Sequence, residues 1–154
     1  MAGLCQDCGA CCTVFEVKDL HKAFGEKCKH LGPTPFGHGC RIYADRPVPC
    51  QHYVCLWLDS QRRQDIKDKM EEALRPDVCK VVMGWPWGID RETIYMYPLP
   101  GHANAWRVPP VSDKIKSILS KGGKVVIVIK NQRIALRGDM AVIGTEEEFE
   151  RLLA

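Results

Sequence analysis

Four thiols within eight residues, Cys5-Gln6-Asp7-Cys8-Gly9-Ala10-Cys11-Cys12, constrain this chain more than any other feature. Cys28, Cys40, Cys50 and Cys55 follow, so eight of the nine cysteines fall in the first 55 residues. Two thiolates three residues apart, around a tight turn, reach one ion with sulfur at about 2.3 Å from zinc. Gly9 follows Cys8, where a turn of the backbone N–H groups toward the sulfurs is expected, and a positive φ there would favour glycine. Adjacent side chains usually point apart, so Cys11 and Cys12 suit two different ions or a bridge between them. Cys50 and Cys55 form a second close pair, and Cys28 and Cys40 supply distant ligands that tie loops together. Cys5, Cys8, Cys11, Cys12, Cys28, Cys40, Cys50 and Cys55 are therefore the candidate metal ligands.

The same cysteines read differently in different redox compartments. No basic, apolar leader is visible, and the apolar runs at 125–129 and 81–83 are too short to span a bilayer. A cytoplasmic protein with no membrane partner is expected. There thiols stay reduced, and dense cysteine reads as metal binding before disulfides. An odd total of nine also fits poorly with complete pairing. A formal charge of +3 is too weak to argue for nucleic acid, and thiolates ionised on metal would lower it. Metal ions are the implied partners; a protein partner is left open.

A length of 154 residues suits one domain with a real core. Residues 1–58, rich in Cys, Gly, Pro and His, show little sustained periodicity. A short helix is expected at 17–24, where Val17, Leu20 and Phe24 share a face, and a loop at 32–37. Metal would supply what apolar burial cannot, since a structural zinc site is worth about 10–16 kcal/mol of apparent binding free energy. The clearest helix is 59–75, capped by Asp59 or Ser60, with Ile66, Met70, Ala73 and Leu74 at helical spacing and Pro76 ending it. Its polar face, with Arg62, Arg63, Asp68 and Glu72, reads as solvated.

Strands are expected at 78–83 and 93–97, then a helix capped by Ser112, carrying Ile115, Ile118 and Leu119 and stopping at Gly122-Gly123. Residues 124–130 contain five consecutive aliphatics, the pattern of a central strand buried on both faces. Strands at 133–137 and 141–143 follow, and Thr145 with Glu148 has capping-box spacing for a last helix bearing Phe149, Leu152 and Leu153. The fold class is α+β: a metal-stabilised, irregular cysteine-rich region at 1–58, packed on a scaffold at 59–154. That scaffold is a small, mostly antiparallel sheet with about three helices, expected to form one compact domain with the first region.

Zinc and iron–sulfur chemistry both suit four-thiolate sets. Eight thiols divide evenly into two such sets, whereas one [4Fe–4S] cluster leaves four unused, which puts zinc slightly ahead. The Cys11-Cys12 adjacency also breaks the ferredoxin run. Two zinc sites would carry about −4 in total. The interleaved Lys18, Lys22, Lys27, Lys29, Arg41 and Arg46 can offset that charge, although singly most read as surface residues.

Cys5-x2-Cys8-Gly9-x-Cys11-Cys12, Cys28 with Leu31, Gly39-Cys40-x-Ile42-Tyr43, Arg46-Pro47, Cys50, Tyr53 and Cys55 together resemble the CxxCxxCC cysteine-cluster family. That family, also called YkgJ-like, is described as a zinc- or iron-chelating domain. The resemblance covers about residues 5–55 and implies that the eight cysteines are ligands. A related motif occurs in flagellin lysine methylases, where an iron–sulfur cluster is implied. Gln51 stands where the family commonly carries arginine. The resemblance implies metal binding without naming a reaction, so an iron–sulfur oxidoreductase, an accessory to a protein-modifying enzyme and a zinc-ribbon nucleic-acid module remain as alternatives.

Other candidates have plainer readings. His52, between Cys50 and Cys55, is the best-placed histidine, but eight thiols make it unnecessary. Arg46 either meets a thiolate or an anionic partner, or sits in a turn that positions Cys50; the turn is favoured. Cys79 reads as a buried, inert thiol at the head of a strand. The Trp85-Pro86-Trp87 segment, with Tyr95, Tyr97, His102 and Trp106, reads as aromatic cover for the sheet or a brace for the metal loops, ahead of a base-stacking platform.

Overall fold

The cysteine-rich segment is built from turns, one hairpin and one short helix. A computed structural model of the chain describes residues 7–64, 67, 69–85, 92–145 and 147–148. Strands β1 (Leu31–Thr34) and β2 (Gly37–Cys40) pair antiparallel, with Leu31 opposite Cys40. The loop expected at 32–37 is thus the tip of a hairpin, closed by the Phe36 N–H donating to the Thr34 hydroxyl at 3.2 Å. Pro33 is tolerated because this two-stranded ribbon consists of edge strands. The helix expected at 17–24 is instead a 3-10 turn, Lys18–Leu20, followed by His21 at φ +51° and a bridge from Val17 to Lys22. Reversal at His21 sends Lys22 inward, where its ammonium donates to the Phe15 carbonyl. A continuous helix could not do this.

Helix α1 (Val48–His52) follows Pro47, and α2 (Leu56–Arg62) starts one turn before the expected 59–75 helix. Cys55 caps α2, its sulfur accepting the Leu58 N–H at 3.5 Å. The expected helix does not run on. The Trp57 indole donates to the Glu71 carbonyl at 3.1 Å, Met70 N–H to the Ser60 hydroxyl at 3.2 Å, and the Gln61 amide to the Met70 carbonyl at 2.9 Å. Residues ten apart in a helix stand about 15 Å apart, so these bonds require the chain to double back. Ile66 and Asp68 lie outside the described residues. Pro76 opens helix α3 (Pro76–Cys79) instead of closing one, as a proline at the first helical position does. Cys79 therefore ends a helix, and strand β3 begins only at Val81 (Val81–Gly84).

The remaining elements are β4 (Thr93–Pro98), α4 (Val111–Ser120), β5 (Lys124–Ile129), β6 (Gln132–Arg137) and β7 (Met140–Thr145). Helix α4 follows Pro110, so Ser112 lies within its first turn and not at its cap. The five strands lie side by side in chain order. Only β4 and β5 run parallel, across the crossover that contains α4; the other pairings are antiparallel. The mixed α+β architecture expected from the element order is present, with four α-helices among the described residues. Thr145 and Glu148 form the expected reciprocal cap, with bonds of 2.8 and 3.4 Å. The helix residues Phe149, Leu152 and Leu153 lie outside the described residues.

Strand alternation decides what covers each face of the sheet. Val81, Met83, Met96, Val125 and Ile127 join Leu56, Trp57, Leu58, Val111 and Ile115 in the main core. Val82 points the other way, onto Ala10 and Val14, with Tyr53, Tyr97, Cys8 and Cys55 packed around them. The cysteine-rich segment thereby docks on the sheet through β3 and β4. Among the described residues no helix is long and apolar enough to cross a membrane.

Candidate metal centre

Five of the candidate ligands meet at one cavity. Cys11 and Cys12 belong to a 3-10 turn, Cys11–Thr13; Cys28 follows the Lys22 reversal; Cys40 ends β2; and Cys50 lies in α1. All five line a cavity of about 280 Å³, together with Phe15, Tyr43, Tyr53, Trp85 and Tyr97. Backbone bonds hold these segments to one another. The Cys28 N–H donates to the Cys12 carbonyl at 2.9 Å, and Leu31 N–H to the Cys28 carbonyl at 3.1 Å. Leu31 is in turn the register partner of Cys40. The turn before them needs Gly9, whose φ is +62°; a Cβ there would stand 2.4 Å from the Leu31 side chain.

Cys8 and Cys55 do not line this cavity. They pack against the Ala10, Val14 and Val82 cluster, as Tyr53 does, and Cys55 also meets the main core. Cys5 lies outside the described residues. None of the described cysteines is joined in a disulfide. Cys79 is buried, donates to the Leu74 and Val81 carbonyls at 3.5 and 3.4 Å, and has its acidity suppressed by burial. His52 is exposed and takes no part in the cavity wall.

The cavity is polarised by cations. Lys22 is only 5% exposed and lines it, as does Arg46. Burial pulls the Lys22 ammonium below its usual range, opposed by the thiolates of Cys28, Cys12 and Cys11. A hydrogen bond from Cys11 brings the Cys12 thiol down to about 7, with Lys22 and Arg46 helping and burial opposing. Burial pushes the Cys40 and Cys50 thiols up, and nearby Cys12 and Cys28 charge adds to it. The Arg46 guanidinium lies 3.7 Å over the Tyr43 ring, while its backbone carbonyl accepts the Gln51 amide at 2.6 Å. Arg46 thus serves the turn through its backbone and the cavity through its side chain.

Aromatic rings form the floor between the thiols and the sheet. Phe15 stands 4.6 Å from Tyr53 and 4.9 Å from Tyr97, centroid to centroid. The Tyr53 hydroxyl is buried with no hydrogen-bond partner, and burial holds it well above the usual phenol range. It fits only because residue 84 is glycine, where a Cβ would stand 2.7 Å from that oxygen. Trp85 lines the cavity and Trp106 packs on the main core; Trp87 lies outside the described residues. Sequence reasoning assigned no role to Phe15 or Tyr53, and it took Lys22 for one basic residue among several. The visible signal was an aromatic between the paired Cys50 and Cys55.

The donor chemistry fits a thiophilic ion: soft thiols, one of them acidified, with cations at hand to offset their charge. Among the described residues no three His, Cys, Asp or Glu side chains already stand at single-ion ligating positions. No family model, curated protein or solved structure matches the chain.

Proposed function

We propose that the protein is a cytoplasmic metal-binding protein whose cysteine thiolates hold zinc or an iron–sulfur centre. The observation that carries this reading is the convergence of Cys11, Cys12, Cys28, Cys40 and Cys50, spread over forty positions of sequence, on one cavity beside Lys22 and Arg46. The likeness of residues 5–55 to the CxxCxxCC cysteine-cluster family supports it from the motif alone. Cys5, Cys8 and Cys55 complete the donor set in this reading.

When bound, the metal would cross-link loops that bury little apolar surface of their own. The chain's own residues would present the thiols, that of Cys12 acidified, balance their charge through Lys22 and Arg46, and shield one side with Phe15, Tyr53 and Tyr97. Thiols must lose protons to bind, so occupancy should fall with acidity. Elemental analysis and an absorption spectrum of anaerobically purified protein test the proposal. Stoichiometric zinc in a colourless protein supports the zinc form; a brown protein with visible absorption supports the iron–sulfur form. Absence of both metals, before and after reconstitution, rejects the reading.

A further inference from the structure

We propose that Arg75 is a positioning residue for the metal-binding segment: through Asp7 it fixes the turn that carries Cys8 to the scaffold. The proposal rests on the metal-binding reading above, with Cys8 among the ligands, and adds the residue that aims it.

The backbone of Arg75 is held in place by its surroundings. It precedes Pro76, which keeps it extended, at φ −60° and ψ +133°. Its neighbours Leu74 and Pro76 are both buried, and its carbonyl accepts the Val78 and Cys79 N–H groups, each at 2.9 Å. The side chain that leaves this junction is only 14% exposed. Its guanidinium lies 5.7 Å from the centroid of the Trp57 ring in α2, and its Nε pairs with Asp77 at 2.9 Å. Nη2 donates to the carboxylate of Asp7, 68 positions earlier in the chain. Glu72 reaches Nη1 at 3.4 Å but is 70% exposed, so water screens that pair.

Asp7 is the end of this network that bears on the thiols. It stands immediately before Cys8, which packs with Ala10, Val14 and Val82, and two before Gly9 with its positive φ. The β1–β2 hairpin meets the same turn. A Cβ on Gly37 would stand 3.2 Å from the Asp7 Cβ, and one on Gly9 would meet the Leu31 side chain. Arg75 therefore ties a turn already fitted to the hairpin onto α2 and α3 of the scaffold. A ligand must be directed as well as present, so the contact that fixes its turn governs how well it binds. Only a planar fork can hold Asp7 and Asp77 on separate nitrogens while facing an indole ring; an ammonium is a single point of charge.

Full-length protein provides the test, titrated with zinc against a competing chelator and with cobalt(II), whose thiolate charge-transfer bands report ligand number and geometry. Asp7→Ala should weaken zinc binding by about 10-fold and reduce the charge-transfer absorption of the cobalt form. Arg75→Lys should do the same despite keeping its charge. Asp7→Ala/Arg75→Lys should lose no more than either alone, as expected of two groups acting through one contact, and Glu72→Gln should match wild type. Wild-type zinc affinity and cobalt spectrum in Asp7→Ala overturn the proposal. Additive losses in the double variant overturn it too, as does an affinity loss with an unchanged cobalt spectrum, which would make Arg75 a tie for stability alone. Asp7 is 34% exposed and belongs to neither apolar cluster, so its alanine variant decides the matter even where Arg75→Lys folds poorly. A wild type that binds neither ion overturns the metal-binding reading itself, and this proposal with it.

Discussion

The cysteine-rich segment and the five-stranded sheet reach stability by opposite routes. In the sheet, Val125, Val126, Ile127 and Val128 are consecutive and all at most 3% exposed, packed from both faces. Between residues 7 and 55 the buried apolar side chains amount to Ala10, Val14, Val17 and Cys28, among turns and a two-stranded hairpin. A two-stranded ribbon is marginal on its own in water. The sheet can hold itself by burial, while the segment depends on docking through Val82 and, in our reading, on metal. The same chain thus contains a part held by extensive apolar burial and a part with little of it.

Chelation should separate them most strongly, because a structural zinc centre contributes about 10–16 kcal/mol of apparent binding free energy. In reducing buffer with chelator, amides of residues 9–55 should lose hydrogen-exchange protection while β3 to β7 keep theirs. Loss of protection everywhere at once would break the comparison. Next in size, Ile127→Ala should cost about 2–5 kcal/mol through the cavity it leaves in the main core. Thermal melting should show that loss with or without metal; a loss that vanished on metal loading would tie the two regions together.

Gly84→Ala addresses the seam between them. Its Cβ would meet the Tyr53 oxygen at 2.7 Å, and overpacking of this kind costs about 1–3 kcal/mol. Restoration by Gly84→Ala/Tyr53→Phe would assign the clash to that contact, since the phenylalanine lacks the oxygen. An uncompensated loss would assign it to the strand itself. The smallest effect concerns acidity in the metal-free protein. Cys12 is held at about 7, below its ordinary 9.0. A lowered thiol contributes stability that is fully present above pH 9 and is lost as pH falls through 7. The melting difference between wild type and Cys12→Ser should therefore widen from pH 7 to 9. A difference that narrows over that range would contradict the acidification.

Much of the sheet was legible because its signals are local. The aliphatic run of β5, the Thr145 and Glu148 cap and the stop after α4 each depend on neighbours in sequence. The 59–75 helix failed for the opposite reason. Its periodicity was real, but Trp57, Ser60 and Gln61 find partners at Met70 and Glu71, and those bonds exist only if the chain turns back. The hairpin of β1 and β2 was hidden by Gly-Pro chemistry that marks a loop equally well.

In the candidate site, the residue types and their order along the chain were determined by sequence alone: eight early cysteines, interleaved bases, and Gly9 at the turn. Which thiols share a wall was decided by tertiary structure. Sequence spacing puts Cys50 and Cys55 together, yet the start of α1 turns Cys50 into the cavity and the cap of α2 holds Cys55 against the sheet. Lys22 likewise reads as a surface cation until the reversal at His21 buries it. A ligand set depends on directions in space, and those directions come from how the segments pack on β3 and β4.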